Sequence, residues 1–398
     1  MLIDRAQLSF FGKREVNALY GTLALTNFGE GLVSIFVPIF LWKNGVVIWQ
    51  ILYFYFLSSA YFVGLTFLIL PFLKKMSDKM MMFLSAPFLI FYLFGLYYIS
   101  AAPILFYILP LALALNTLFF DVGYNLDFSQ SVDGEKIGRE LGARNTISAL
   151  VNFSAPFFGG SLIVLFGFKI TFLIASLILL GAVVPLFFFP HRHLVSDLKS
   201  SQIIKFLTGR GIQSFNLSGI AYSMMLTIDG LLWPFFIFFA ISSTRSLGGV
   251  VSVGLFASAI TTYFIGFLSD AGDRRKIITI TTVLFSIVWL FRIMFSSPGM
   301  IMALSVAGGI ISAGLLVAWT SQFYKITRAV QHPSPFILSR EVLYQLARVI
   351  FLPILMLCAY AFSTTHFFYA SFGIAALLQL LFLFANKFHL NDLTAMDE

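Results

Sequence analysis

Gly266-Phe267-Leu268-Ser269-Asp270-Ala271-Gly272-Asp273-Arg274-Arg275-Lys276 is a short charged turn set between two long apolar runs. Its carboxylate Asp270 stands where a hydrophobic helix is ending, against the negative pole of that helix's own dipole, so it should draw positive charge from elsewhere in the protein. The turn is therefore read as a boundary between two helices and as half of a longer-range contact.

The runs on either side set the class. Hydrophobic residues make up 59% of the 398 and charged residues only 11%, with a mean hydropathy of +0.94, whereas a soluble domain carries about a quarter of its residues charged. This is the composition of a membrane protein. A helix needs about 20 largely apolar residues to cross about 30 Å of hydrocarbon, and twelve such segments can be placed. They cover residues 16–41, 49–73, 80–100, 103–125, 141–166, 170–190, 214–241, 247–269, 277–297, 299–324, 341–362 and 367–387. They are called spans one to twelve below, and they leave no room for a soluble domain.

Alternate loops differ sharply in charge. One set carries Lys74, Lys75, Lys79, Lys136, Arg139, Arg144, Arg274, Arg275, Lys276 and most of the remaining basic residues, while the other has only Lys43, Lys169 and Arg245, with Arg292 near the end of its helix. The positive-inside rule places both termini in the cytoplasm and predicts a multi-pass protein of the plasma (inner) membrane. The net charge of +8 is this inner-face bias. It calls for no nucleic-acid partner; the partners expected are the lipid bilayer and a small molecule.

The chain also repeats itself. Glu30-Gly31-Leu32 returns as Asp229-Gly230-Leu231, Tyr124 as Tyr324, and Arg139-Glu140 as Arg340-Glu341, at offsets of 229 − 30 = 199, 324 − 124 = 200 and 340 − 139 = 201. Three offsets so close to half the chain indicate an internal duplication. The predicted fold is an all-α membrane protein of twelve transmembrane helices in two pseudo-symmetric six-helix bundles. The first occupies residues 1–190 and the second 214–398, joined by a cytoplasmic linker at 191–213.

The opening stretch resembles the signature turn of the major facilitator superfamily, Gly-x-Leu-x-Asp-Arg-x-Gly-Arg-Arg. Gly266, Leu268, Asp270, Arg274 and Arg275 fall in register, Ala271 replaces an Arg, and the second Gly comes one place early at Gly272. Its counterpart in the first half, Leu73-Lys74-Lys75-Met76-Ser77-Asp78-Lys79, is eroded, with Lys74 where the family has Asp. In span five, Ala155-Pro156-Phe157-Phe158-Gly159-Gly160 resembles the end of the family's antiporter motif, although packing accounts for it equally well. The span-four Arg of the drug and sugar branches is missing.

The resemblance implies two bundles with the substrate near the bilayer midplane between them. It also implies that Asp270 closes the inner side against the start of span five near Gly142 to Arg144, and that Lys74 meets span eleven near Glu341. The gating candidates are accordingly Gly266, Asp270, Arg274, Arg275, Lys74, Arg144 and Glu341.

The site candidates follow from polar groups that the membrane makes costly. Glu30 and Asp229 lie about 21 to 23 Å from the inner ends of their helices at 1.5 Å per residue, and a carboxylate at that depth must be protonated, paired or facing water. Asn27, Glu30 and Ser34 share one helical face, as do Ser218, Tyr222, Met225 and Asp229. Asn116, Asp121 and Tyr124 in span four and Asn152 in span five add further polar groups. Trp233 is weighed between stacking a substrate and packing, and Arg348 between reaching the cavity and snorkelling to the interface.

One or both carboxylates are expected to exchange protons with the medium during transport; the alternative for each is a structural pair. The expected function is proton-coupled secondary active transport of a small solute by alternating access, with export of an amphipathic or cationic compound slightly favoured. Uptake of a solute, lipid flipping, and a non-transporting receptor or assembly factor are the alternatives.

Nothing calls for an enzyme. His191, His193, His332, His366 and His389 all fall in loops or at span ends, and no metal-protease, nucleophile-elbow or phosphate-loop motif occurs. His191 and His193 lack further ligands, so no metal and no cofactor are expected. The lone Cys358 excludes an intramolecular disulfide. A monomer is expected.

Overall fold

A computed structural model describes residues 14–131, 137–184, 198–271 and 274–389, without the side chains of residues 14–20, 127–147, 150, 183, 263 and 266–271. Among the described residues, eleven helices are long and apolar enough to cross a membrane. One of them counts twice. In Ile137–Val183 the backbone at Gly167 turns to φ 81° and ψ 170°, a conformation that glycine reaches without steric cost, and the chain crosses again as span six. Twelve crossings result, as the segmentation predicted.

Spans one and seven, each predicted as one continuous helix, are broken near mid-membrane. Span one runs Arg14–Gly31, then a 3-10 turn Ser34–Phe36, then Val37–Lys43. Span seven runs Gln213–Thr227, a π-helical turn Ile228–Leu232, then Trp233–Ile241. A proline follows each break, Pro38 and Pro234. Proline has no N–H to donate and its ring crowds the preceding turn, so the helix relaxes into a tighter or wider turn just before it. Glu30 and Asp229 sit at these two irregular turns.

Helix contacts knit the halves together. Span five (in Ile137–Val183) packs along span eight (Thr244–Ala271), and span two (Ile48–Leu73) along span eleven (Pro333–Ala361). Span five reaches span eight through Pro156 and Gly160. A Cβ built on Gly160 would lie 2.6 Å from the Thr244 carbonyl oxygen, and one on Gly248 would collide with the Pro156 carbonyl.

Small residues there let two backbones touch, which gives the antiporter-like segment a packing role. Gly248→Ala is therefore expected to lower the melting temperature by an amount equivalent to about 1–3 kcal/mol of overpacking. Gly249→Ala, where an added Cβ meets nothing within 4 Å, should be neutral or mildly stabilising. Dye-reported unfolding of the two variants side by side checks this.

Between the halves, the short helix Ser200–Thr208 buries Ile203 and Phe206. Its Phe206 ring stands 5.3 Å from Phe336, so this piece of the linker is held against the second half.

Candidate functional site

A cavity of about 640 Å³ lies between the two bundles. Span one supplies Asn27 and Glu30, span four Asp121, Tyr124 and Asn125, span five Ser148 and Asn152, and span seven Tyr222, Met225 and Asp229. Helical periodicity explains why these residues converge, since each set repeats at three or four positions along its helix. Asn27, Glu30, Asp121, Tyr124, Asn152, Asp229 and Trp233 were all singled out from sequence, and the structure brings them to this one cavity.

Asp229 is not alone there. Its Oδ1 accepts a 2.7 Å hydrogen bond from Arg292 Nη1, and the guanidinium lies between the indoles of Trp233 and Trp289, 4.0 and 4.2 Å from their rings. Arg292 is 1% exposed, while the Asp229 side chain keeps 32% of its surface open to the cavity. Trp233 is fixed in turn by donating its Nε1–H to Ser305 Oγ at 3.1 Å. The sequence reading left Arg292 near the outer end of its helix with no partner; it is instead the buried counter-ion of Asp229. Trp233 clamps this pair, and Trp319 is a packing residue whose Nε1–H is spent on Ser218.

Glu30 is different. Its carboxylate faces the cavity, and among the described residues no cation lies in ion-pair range of it. It also lines a second, smaller chamber of about 310 Å³. That chamber contains Arg348, which donates its Nε–H to Thr227 Oγ1 at 3.0 Å. Of the two readings weighed for Arg348, this placement agrees with the inward one: the residue lines the chamber. Asn116 lines the same chamber and donates to the Ser85 carbonyl at 3.2 Å.

At the end carrying the basic loops, polar contacts join the halves. Glu341 is paired with the neighbouring Arg340, whose guanidinium stacks 3.9 Å over Phe323. Asn125 from the first half donates to Glu341 Oε1 and accepts from the Tyr324 hydroxyl, both at 3.5 Å. At the opposite end Trp42 packs edge-on against Phe238 and Phe239, with centroids 5.9 and 4.9 Å away. Asn125→Ala should weaken the first of these closures. A cysteine introduced at Tyr124 is expected to react faster with a water-soluble maleimide in that background.

The gating expectations fare unevenly. Lys74 does not meet Glu341: it is exposed at the end of span two, and Arg340, adjacent in sequence, reaches the carboxylate first. Arg275 packs against the 3-10 segment Leu380–Lys387 and the residues just after it, its guanidinium 3.2 Å from the His389 ring and its carbonyl accepting from Asn386. Arg274 lies beside it in a small surface pocket. The side chains of Asp270 and Arg144 and the surroundings of Gly266 fall outside the described residues. Sequence reasoning missed Arg340, Tyr324 and Asn125 as contact residues. The signal was present, because Tyr324 and Arg340 are two of the duplicated positions.

No family profile matches the sequence and no curated protein aligns with it. Solved structures do match. The human organic anion transporter MFSD10 (TETRAN) superposes with a TM-score of 0.66 at 14% identity, over 93% of this chain and 98% of that one. A variant of the E. coli fucose:proton symporter FucP gives 0.67 at 14% identity, over 96% and 99%. A mutant of the nucleoside transporter NupG gives 0.69 at 11% identity, over 93% and 98%. The chain has the fold of the major facilitator superfamily, as the opening stretch implied.

Proposed function

We propose that this chain is a secondary active transporter that moves a small solute bearing a positively charged group by alternating access and couples that movement to protons through Glu30. The observation that carries the reading is the cavity between the bundles, where Asp229 is neutralised by Arg292 while Glu30 and Asp121 are not in any ion pair among the described residues. Two carboxylates facing an aqueous cavity in mid-membrane favour a cation, whether a solute or a proton. Parallel repeats around a midplane site are the architecture in which rocking exposes such groups to each side in turn. By the positive-inside rule the basic loops support a cytoplasmic placement of both termini.

The Ala155 to Gly160 segment is accounted for by its contact with span eight, so it lends export no preference over uptake. The solved neighbours carry organic anions, fucose with protons, and nucleosides by their names, which fits transport without selecting a substrate.

The test is purified protein in proteoliposomes with a trapped pH dye, challenged with a panel of small solutes that carry a cationic group and with controls that carry none. At least one solute with a cationic group should evoke proton movement absent from empty vesicles. Solute movement indifferent to an imposed pH gradient would remove proton coupling from the reading, and absence of any solute movement would favour a receptor.

A further inference from the structure

The two chambers are copies of one another. Shifting the larger chamber's lining by 200 residues, as in 292 − 92 = 200, lands on the smaller chamber's: Ser258 on Ser58, Arg292 on Tyr92, and, running the other way, Ser148 on Arg348. Duplication therefore made two equivalent compartments, each bounded by one half's early spans and by the fifth span of the other half. Their charges have since diverged. In the larger chamber Arg292 neutralises Asp229 from within the same half. At the matching place beside Glu30 stands Tyr92, which offers no cation. The smaller chamber's cation is Arg348, contributed by the opposite half.

Arg348 is incompletely used. A guanidinium carries five N–H donors in a planar fork. Among the described residues only Nε–H is hydrogen-bonded, on Thr227; Asp121 and Glu341 attract the guanidinium through space without an ion-pair contact. The two Nη groups remain on a residue that lines the chamber, and such a fork matches a carboxylate with two parallel hydrogen bonds. The chambers adjoin at Glu30, Leu226 and Gly230, which line both. A Cβ added at Gly230 would meet no atom within 4 Å, so there is room at that point of the shared wall.

We infer that the two chambers form one bipartite site for a zwitterion, its carboxylate on Arg348 in the smaller chamber and its ammonium group at Glu30 and Asp121 on the larger side. The inference rests on the transport reading for its place in the solute path. It adds the anionic half of the substrate, which the acids alone do not require. A simple cation leaves the Arg348 fork without a hydrogen-bond acceptor; a simple anion meets the Glu30 carboxylate, which has no cation in ion-pair range among the described residues. An amino-acid-like molecule satisfies both at once.

The experiment uses the full chain in detergent and three matched probe series: free amino acids together with glycine betaine, amino-acid methyl esters (cation only) and N-acetyl amino acids (anion only). Thermal unfolding reads binding, because a ligand of the folded state raises the melting temperature. At least one zwitterion should raise it, with its ester and its N-acetyl form at least tenfold weaker. Arg348→Gln should weaken the zwitterion at least tenfold while leaving the ester unchanged. Gly230→Leu should block zwitterion binding without lowering the melting temperature of the free protein.

The inference is overturned if no zwitterion shifts the unfolding, if the ester binds as well as its parent, or if Arg348→Gln is without effect. Proteoliposome uptake of the same probes separates the two claims. Zwitterion binding without movement retires the transporter and keeps the site; movement of esters without zwitterion binding does the reverse.

Discussion

Asp229→Ala should destabilise the folded protein by about 3–5 kcal/mol, because it leaves the Arg292 guanidinium buried with no counter-charge. The two partners are unequal in exposure, and that inequality sets the order of effects. Arg292 is enclosed between two indoles with 1% of its surface exposed, so it cannot recover water when Asp229 is lost. Asp229 has 32% of its side-chain surface in the cavity, so Arg292→Met leaves an acid that water can still solvate, and the thioether refills the slot between Trp233 and Trp289.

Arg292→Met should therefore be the milder change, losing the charge component of the two cation–π contacts while the thioether keeps its packing against both indoles. The double variant Asp229→Leu/Arg292→Met should recover much of the loss, since apolar residues of similar volume replace buried pairs at little cost. Equilibrium unfolding in mixed micelles measures all three. A double variant as damaged as Asp229→Ala would show that the pair is not a self-contained unit.

Glu30→Gln should have the largest effect on function. The amide keeps the shape and much of the hydrogen bonding of the acid but cannot take up or release a proton. Solute-evoked proton movement should fall to the level of empty vesicles, while exchange of labelled for unlabelled solute across the membrane continues and loses its dependence on pH. Asp229→Asn should instead depress both activities together, through the structural cost just described. Undiminished proton movement in Glu30→Gln would place the coupling group elsewhere, with Asp121 the next carboxylate in the same cavity.

These expectations depend on features that were unequally legible in the chain. The twelve crossings, the duplication and the opening turn all express short-range pattern, apolar runs and spacing, and these survive into the fold. Glu30 and Asp229 were equally visible as acids in apolar helices. What separates them is a partner 63 positions away from Asp229, on span nine, which packs along spans ten and twelve and reaches span seven through the long Arg292 side chain. No local signal encodes that contact.

Arg348 posed a question of helix rotation. An Arg eight residues beyond Arg340 can point to lipid headgroups or to the cavity, and only the packing of span eleven against span two decides. The breaks at residues 31–37 and 228–233 were foreshadowed by Pro38 and Pro234, although the kind of turn each would impose was not. Lys74 misled because an eroded motif was read as a working one with its charge reversed.

Distances across the two rims of the same protein test the account most directly. In a background with Cys358 replaced by Ser, spin labels go on exposed positions of facing halves, Lys75 with Lys276 at the basic end and Ala101 with Ser297 at the other, in lipid nanodiscs across a pH series. Each pair is expected to show two populations, with the basic end widening as the far end narrows. Single distances that stay fixed at both ends under every condition would mean that the bundles do not rock, and the transport mechanism built on them would be wrong.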